Sequence, residues 1–131
     1  MSEYRDPYDL GPDYQAQIPV IGERDPNGLA PGMPGAKLDA GKPRAGLVLG
    51  DFSRALRAVA EVGTHGAVKY SARGWLAVPD GEGRYTDALY RHLLADASGD
   101  ALDVDSGLQH LAHAAWNLLA VLELRLRSQG E

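Results

Sequence analysis

The sequence predicts an all-α fold: a small helical bundle that oligomerises through its helices and carries an extended, Pro/Gly-rich N-terminal arm. Three observations predict it. First, His110 to Leu122 reads HLAHAAWNLLAVL, with no carboxylate, lysine or arginine. Read as a helix, its main apolar stripe is Leu108, Leu111, Ala115, Leu118, Leu122 and Leu126. Nearly opposite lies a second stripe: Ser106, His110, His113 and Asn117, then Val121 and Leu124. A helix apolar on two faces is central, with neighbours or a partner subunit on both sides. Second, Asp51 to Val62 and Tyr85 to Ala97 show helical spacing of their own. Third, no stretch reads as a strand: Leu47 to Leu49 (LVL) is short and flanked by Gly46 and Gly50.

Composition narrows the function classes. A chain of 131 residues suggests one domain with a modest core. A net charge of −5 argues against direct nucleic-acid binding. The absence of cysteine excludes disulfides and thiol chemistry. No run approaches the roughly 20 apolar residues of a membrane span. The first residues, MSEYRDPYDLGPDY, lack an apolar signal core, so a cytoplasmic protein is expected.

Residues 1–36 carry the breaker steps DP, GP, DPNG and APGMPG, with QIPVI (Gln17 to Ile21) as the sole apolar patch. They read as an arm, disordered alone or extended over a neighbouring subunit, and 37–131 as a single all-α domain. Lys37, Asp39, Lys42 and Arg44 cluster around Gly41. Cations near a glycine can receive phosphates. This is not a Walker A loop, because Ala36 replaces its first glycine and Pro43 follows Lys42.

The first helix, Asp51 to Val62, can be capped by Asp51, and Phe52, Leu56, Val59 and Ala60 make one face of it. Glu61 follows Arg57 by four, which makes either a surface ion pair or a metal carboxylate. Gly63 and Gly66 interrupt this helix, leaving His65 at a joint and Lys69 in a second piece. Residues 71–84 form a loop anchored by Trp75 and Leu76. The second helix, Tyr85 to Ala97, carries Arg91 and His92. Residues 98–107 bring Asp100, Asp103 and Asp105 to the start of the central helix, which Asp105 or Ser106 caps. Carboxylates feeding a histidine-bearing helix are one way to build a hard-cation site.

These residues in this order resemble a known family, the phage dATP/dGTP diphosphohydrolases, MazG-like nucleotide pyrophosphohydrolases of the MazZ type. The resemblance runs from about Lys37 to Glu123. It rests on K-x-D-x-x-K (Lys37, Asp39, Lys42), G-x-x-K-Y (Gly66, Lys69, Tyr70) and Trp75, then Arg84-Tyr85 and Arg91-His92. It continues through Gly99, Asp100 and Asp103 to Asp105, Ser106, Gly107, His110, His113 and Asn117. Gly74 stands where the pattern has Asn, and Asp stands at 100 and 105 where Glu is usual.

The resemblance implies a MazG-like bundle that hydrolyses purine deoxynucleoside triphosphates, dGTP or dATP, to monophosphate and pyrophosphate. It implies a homodimer or homotetramer, in the host cytoplasm if phage-encoded, able to supply dGMP for 2-aminoadenine DNA synthesis. Such cleavage needs water at the α-phosphorus and charge neutralised on the leaving pyrophosphate. Two or more Mg²⁺ or Mn²⁺ ions per site can do both. Glu61, Asp100, Asp103 and Asp105 are the expected metal carboxylates. His92, His110 and His113 are the expected catalytic histidines. Lys37, Asp39, Lys42, Lys69, Tyr70, Arg91 and Asn117 are expected to meet the nucleotide. Two other readings remain. One is an HD-type triphosphohydrolase, although no adjacent His-Asp pair occurs. The other is a non-catalytic nucleotide-binding or structural helical oligomer.

Overall fold

A computed structural model describes residues 22–130. The expected apolar patch of the arm, Gln17 to Ile21, lies outside the described residues. By its contacts the chain divides into two compact units, Met1–Val48 and Leu49–Glu131.

In the first unit, residues 22–36 follow a series of turns around Asp25. Its buried carboxylate accepts the backbone N–H groups of Asn27 at 2.7 Å, Lys37 at 2.8 Å and Leu29 at 3.4 Å. The Lys37 N–H holds this carboxyl below its ordinary value, against the opposing effect of burial. Lys42 Nζ pairs with Glu23 Oε1 at 2.7 Å.

The first helix, α1, spans Ala45–Gly50. It takes in the LVL run, so that run is helical. Helix α2 spans Ser53–Lys69. Phe52 occupies its N-cap position and makes no side-chain cap bond, so Asp51 does not cap it as expected. The chain leaves α1 through a turn in which Phe52 N–H donates to the Leu49 carbonyl. That turn places Asp51 one residue too early.

Gly63 and Gly66 do not interrupt α2. A mid-helix glycine costs about 1 kcal/mol relative to alanine, but here Gly63 lets the Trp116 indole approach closely. A Cβ at Gly63 would stand 3.1 Å from Trp116 Nε1. Gly63→Val is therefore expected to destabilise the protein by about 1–3 kcal/mol. Chemical denaturation measures it, and an unchanged midpoint would show that the two helices do not need this close approach.

A 3₁₀ turn, Gly74–Ala77, precedes α3, Gly81–Ala97. Helix α3 thus begins a turn before Tyr85, inside the expected loop. Its first residues, Gly81 and Gly83, are weak helix formers that hide the start. Gly81 is held against Leu124 and Tyr85, where an added Cβ would meet their side chains at 3.2 and 3.3 Å.

Helix α3 ends in a Schellman motif. Gly99, with φ +93°, donates to the Asp96 carbonyl, and Asp100 N–H donates to Ala95. This fixes the direction in which residues 100–109 leave the helix. They close as a tight turn: Leu102 bridges Gln109, Asp103 N–H donates to Leu108, and Gly107 takes φ +71°. Helix α4, His110–Gln129, follows with Gln109 as N-cap and no side-chain cap bond. It begins later than expected, because the Asp103 carboxylate takes the Ser106 N–H into the turn. Asp105 and Ser106 therefore do not cap α4. No strand occurs among the described residues.

Helix α4 is central, packing along α3 and, less extensively, α2. Its buried residues are His110, Ala112, Ala114, Asn117, Ala120 and Val121, joined by Val62 of α2. Leu111, Leu118 and Leu126 remain 50%, 54% and 45% exposed, whereas His110, Asn117 and Val121 of the second stripe are buried. The polar groups go inward because the histidines partner one another and the loop after α3. Bulk is supplied nearby by an aromatic trio. Trp75, Tyr85 and Trp116 meet edge to face with centroids 5.6–6.2 Å apart, and Tyr85 Oη donates to the Trp75 carbonyl at 2.7 Å.

Candidate active site

Three elements of the second unit meet at the start of α4. His92 comes from α3, His110 and His113 from the first turn of α4, and Asp100, Asp103 and Ser106 from the turn between them. His110 and His113, three apart on one helix, share a face. His92 Nδ1 lies 2.8 Å from His110 Nδ1. The His92 ring also stacks on His113, with centroids 4.5 Å apart and planes 12° from parallel.

Ser106 orders this cluster. Its hydroxyl accepts the Leu108 N–H at 3.1 Å and donates to Asp103 Oδ2 at 2.8 Å. Its one proton is then used, so His113 Nε2, 2.6 Å away, is the donor in their contact. That assigns His113 a proton on Nε2 and links it through Ser106 to a carboxylate that also receives the Ser106 N–H. His113 Nε2 stands 3.7 Å from Asp103 Oδ2.

The electrostatics follow from this packing. Burial would push the Asp103 carboxyl up, but the Ser106 N–H, the Ser106 hydroxyl and His113 hold it below its ordinary value. Burial lowers His92, and the nearby His113 and His110 lower it further, against Asp103. Burial likewise lowers His113, with Asp103 partly opposing. Both imidazoles are neutral near pH 7.

A lowered folded-state pKa means the unfolded chain binds these protons first as pH falls. Stability is therefore expected to drop as pH falls below about 6.5, and to level off below the folded values. The depressed aspartates, Asp25, Asp103 and Asp105, act only in a lower window, below about 4. Thermal melts in chelator between pH 7.5 and 5 measure the effect, and His92→Gln should flatten the slope. A melting temperature independent of pH over that range would contradict it.

The structure gathers some of the expected residues and separates others. His92, His110, His113, Asp100 and Asp103 come together. One ligand atom from each of His92, Asp103 and His110 lies within 4.8 Å of the others. Asp105 lies in a second group, accepting from Lys69 Nζ at 2.6 Å, with His65 Nε2 at 3.6 Å. The Lys69 bond lowers the Asp105 carboxyl, and the Asp105 and Tyr70 contacts raise Lys69. Lys69 Nζ also stands 5.3 Å from the centre of the exposed Tyr70 ring.

Glu61 faces solvent 3.7 Å from Arg57, the surface ion pair. Arg91 is exposed beside His92 on α3. Asn117 is 6% exposed and its Nδ2 donates to the His113 carbonyl, so that donor serves the helix itself. Lys37, Asp39 and Lys42 belong to the first unit.

Two residues carry more than their sequence reading suggested. Ser106, read as a helix cap, links His113 to Asp103. His65, read as a residue of a joint, sits inside α2 and faces Asp105. The spacing D-x-x-S with a histidine seven residues later could have signalled the first. No local signal marks the second.

The family model described as dATP/dGTP diphosphohydrolase, N-terminal, matches residues 33–131. No curated protein and no solved structure matches the chain. No helix among the described residues is long and apolar enough to cross a membrane.

Proposed function

The chain belongs to the dATP/dGTP diphosphohydrolase, N-terminal, family, and from that premise we propose that it hydrolyses purine deoxynucleoside triphosphates to monophosphate and pyrophosphate. The observation that carries the reading is the convergence of His92, His110 and His113 on Asp103, within the matched residues.

The reaction calls for divalent cations, Mg²⁺ or Mn²⁺ and two or more of them; Asp103 would hold one, backed by Asp100, and Asp105 and Glu61 would give up Lys69 and Arg57 to hold another. Bound there, such ions neutralise phosphate oxygens and acidify water. The donor set of two histidines and one carboxylate, His92, His110 and Asp103, fits a cation. The neutral imidazole of His113, stacked on the His92 ring, would accept a proton from the attacking water. Lys69 and Arg91 would meet phosphates, and Tyr70 would offer its ring to base or sugar.

Leu119 and Leu126 of α4, both exposed, line an apolar groove of about 500 Å³ against Leu56 and Val59 of α2. A homodimer or homotetramer would cover it. In a phage-infected cell the same reaction supplies dGMP for 2-aminoadenine DNA synthesis.

One observation favours a second reading. Histidines and aspartates converge in space without being adjacent in sequence, and that donor set also suits an HD-type enzyme releasing triphosphate. Product analysis separates the two. The protein is incubated with each of the four dNTPs and Mg²⁺ or Mn²⁺, and products are resolved by ion exchange and phosphorus NMR. Monophosphate plus pyrophosphate from dGTP or dATP is expected. Nucleoside plus triphosphate would select the second reading. No turnover would leave a binding or structural role.

A further inference from the structure

We propose that His92, Asp103 and His110 form a single mixed nitrogen–oxygen site that takes a divalent transition-metal ion, Mn²⁺ or Co²⁺, in preference to Mg²⁺. The inference deepens the hydrolase reading and rests on it only for the ion's use, since binding stands on geometry alone.

The facing Nδ1 atoms of His92 and His110 are 2.8 Å apart. Two nitrogens, each about 2.1 Å from one ion and roughly 90–110° apart, are separated by about 3.0–3.4 Å. A small outward movement of the half-exposed His92 ring therefore seats an ion between them. Without an ion, one of these nitrogens must carry a proton directed at the other.

The third donor is already fixed. Asp103 is ionised and held by the Ser106 N–H and hydroxyl, which are tied in turn to His113. Such support orients a metal carboxylate.

The remaining nitrogen gives an independent observation. His110 is 7% exposed, and its Nε2 is buried with no hydrogen-bond partner among the described residues. Asp100 Oδ2 stands 3.4 Å away. A buried ring nitrogen left so is costly. With Nδ1 on an ion, Nε2 carries the proton and faces Asp100, the carboxylate–histidine–metal arrangement.

Two imidazoles and one carboxylate favour Mn²⁺ and Co²⁺, whereas Mg²⁺ prefers oxygen donors and retains water. The carboxylates Asp105 and Glu61 stand apart from this trio, each next to a cation, Lys69 and Arg57 respectively.

The test is metal binding to the full chain without nucleotide. Calorimetry should show one Co²⁺ or Mn²⁺ per chain, bound at least about tenfold more tightly than Mg²⁺. Substoichiometric Mn²⁺ should broaden the ring proton resonances of His92 and His110 before those of His65. This readout needs no variant and so survives any folding defect of the buried His110. His92→Gln should weaken Co²⁺ binding by more than tenfold, and Ser106→Ala by about 10–100-fold through the loosened Asp103. Equal affinity for Mg²⁺, broadening that starts at His65, or no binding would overturn the site. Co²⁺ binding without dNTP turnover would sustain the site and remove the hydrolase reading. Turnover with Mg²⁺ and no ion at the trio would do the reverse.

Discussion

Replacing Asp103 with Asn is expected to lower turnover of dGTP or dATP by about a hundredfold or more and to leave the helical circular-dichroism signal intact. The physical reason is a separation of two roles. The Asp103 side chain accepts the Ser106 N–H and hydroxyl within the turn before α4. An asparagine carbonyl oxygen can accept those bonds, so the turn survives. The negative charge cannot be replaced, and with it would go the proposed cation binding and the stabilisation of a protonated His113, 3.7 Å away. Steady-state rates with the folded variant measure the effect. Full activity would remove Asp103 from the chemistry and leave it a turn residue.

The largest effect on stability is expected at Trp116. Trp116→Ala should destabilise the protein by about 3 kcal/mol. For a unit of this size that lowers the melting temperature by roughly 10–20 °C. The indole contacts Trp75 and Tyr85 edge to face, at 5.8 and 5.6 Å, and fills the space left open by Gly63. The chain's own buried core is otherwise built from small residues: Val62, Ala112, Ala114, Ala120 and Val121. Removing this half-buried ring takes away contacts to Gly63 of α2, Trp75 of the 3₁₀ turn and Tyr85 of α3 at once. A thermal melt unchanged within a few degrees would show that the trio is dispensable and that the small residues of α4 suffice.

Much of this architecture is legible in the residues. The charge-free run from His110 to Leu122 marks the central helix, and the spacing of His110, His113 and Asn117 places them on one face. The carboxylate-rich turn before α4 is equally visible. What hides is which face of α4 turns inward. Leu111, Leu118 and Leu126 are the more apolar stripe, yet they are exposed. Histidines can be buried there because His92 and the Asp103–Ser106 pair reach them from other elements, a partnership that no periodicity reveals. Glycine misleads in two directions. Gly63 and Gly66 read as breaks but sit within α2, Gly63 against the Trp116 indole, while Gly81 and Gly83 conceal the first turn of α3. Asp105 and Glu61 are aspartate and glutamate like their neighbours in the pattern. Only the structure shows that each stands beside a cation, Lys69 and Arg57.

In the proposed reaction water attacks the α-phosphorus and pyrophosphate leaves. Hydrolysis of dGTP and dATP in ¹⁸O-labelled water, with Mn²⁺ present and products read by mass spectrometry, tests it most directly. Label in the deoxynucleoside monophosphate, with unlabelled pyrophosphate, is the predicted result. Label in the pyrophosphate would move the attack to the β-phosphorus. Release of triphosphate, or no incorporation at all, would contradict the diphosphohydrolase assignment itself.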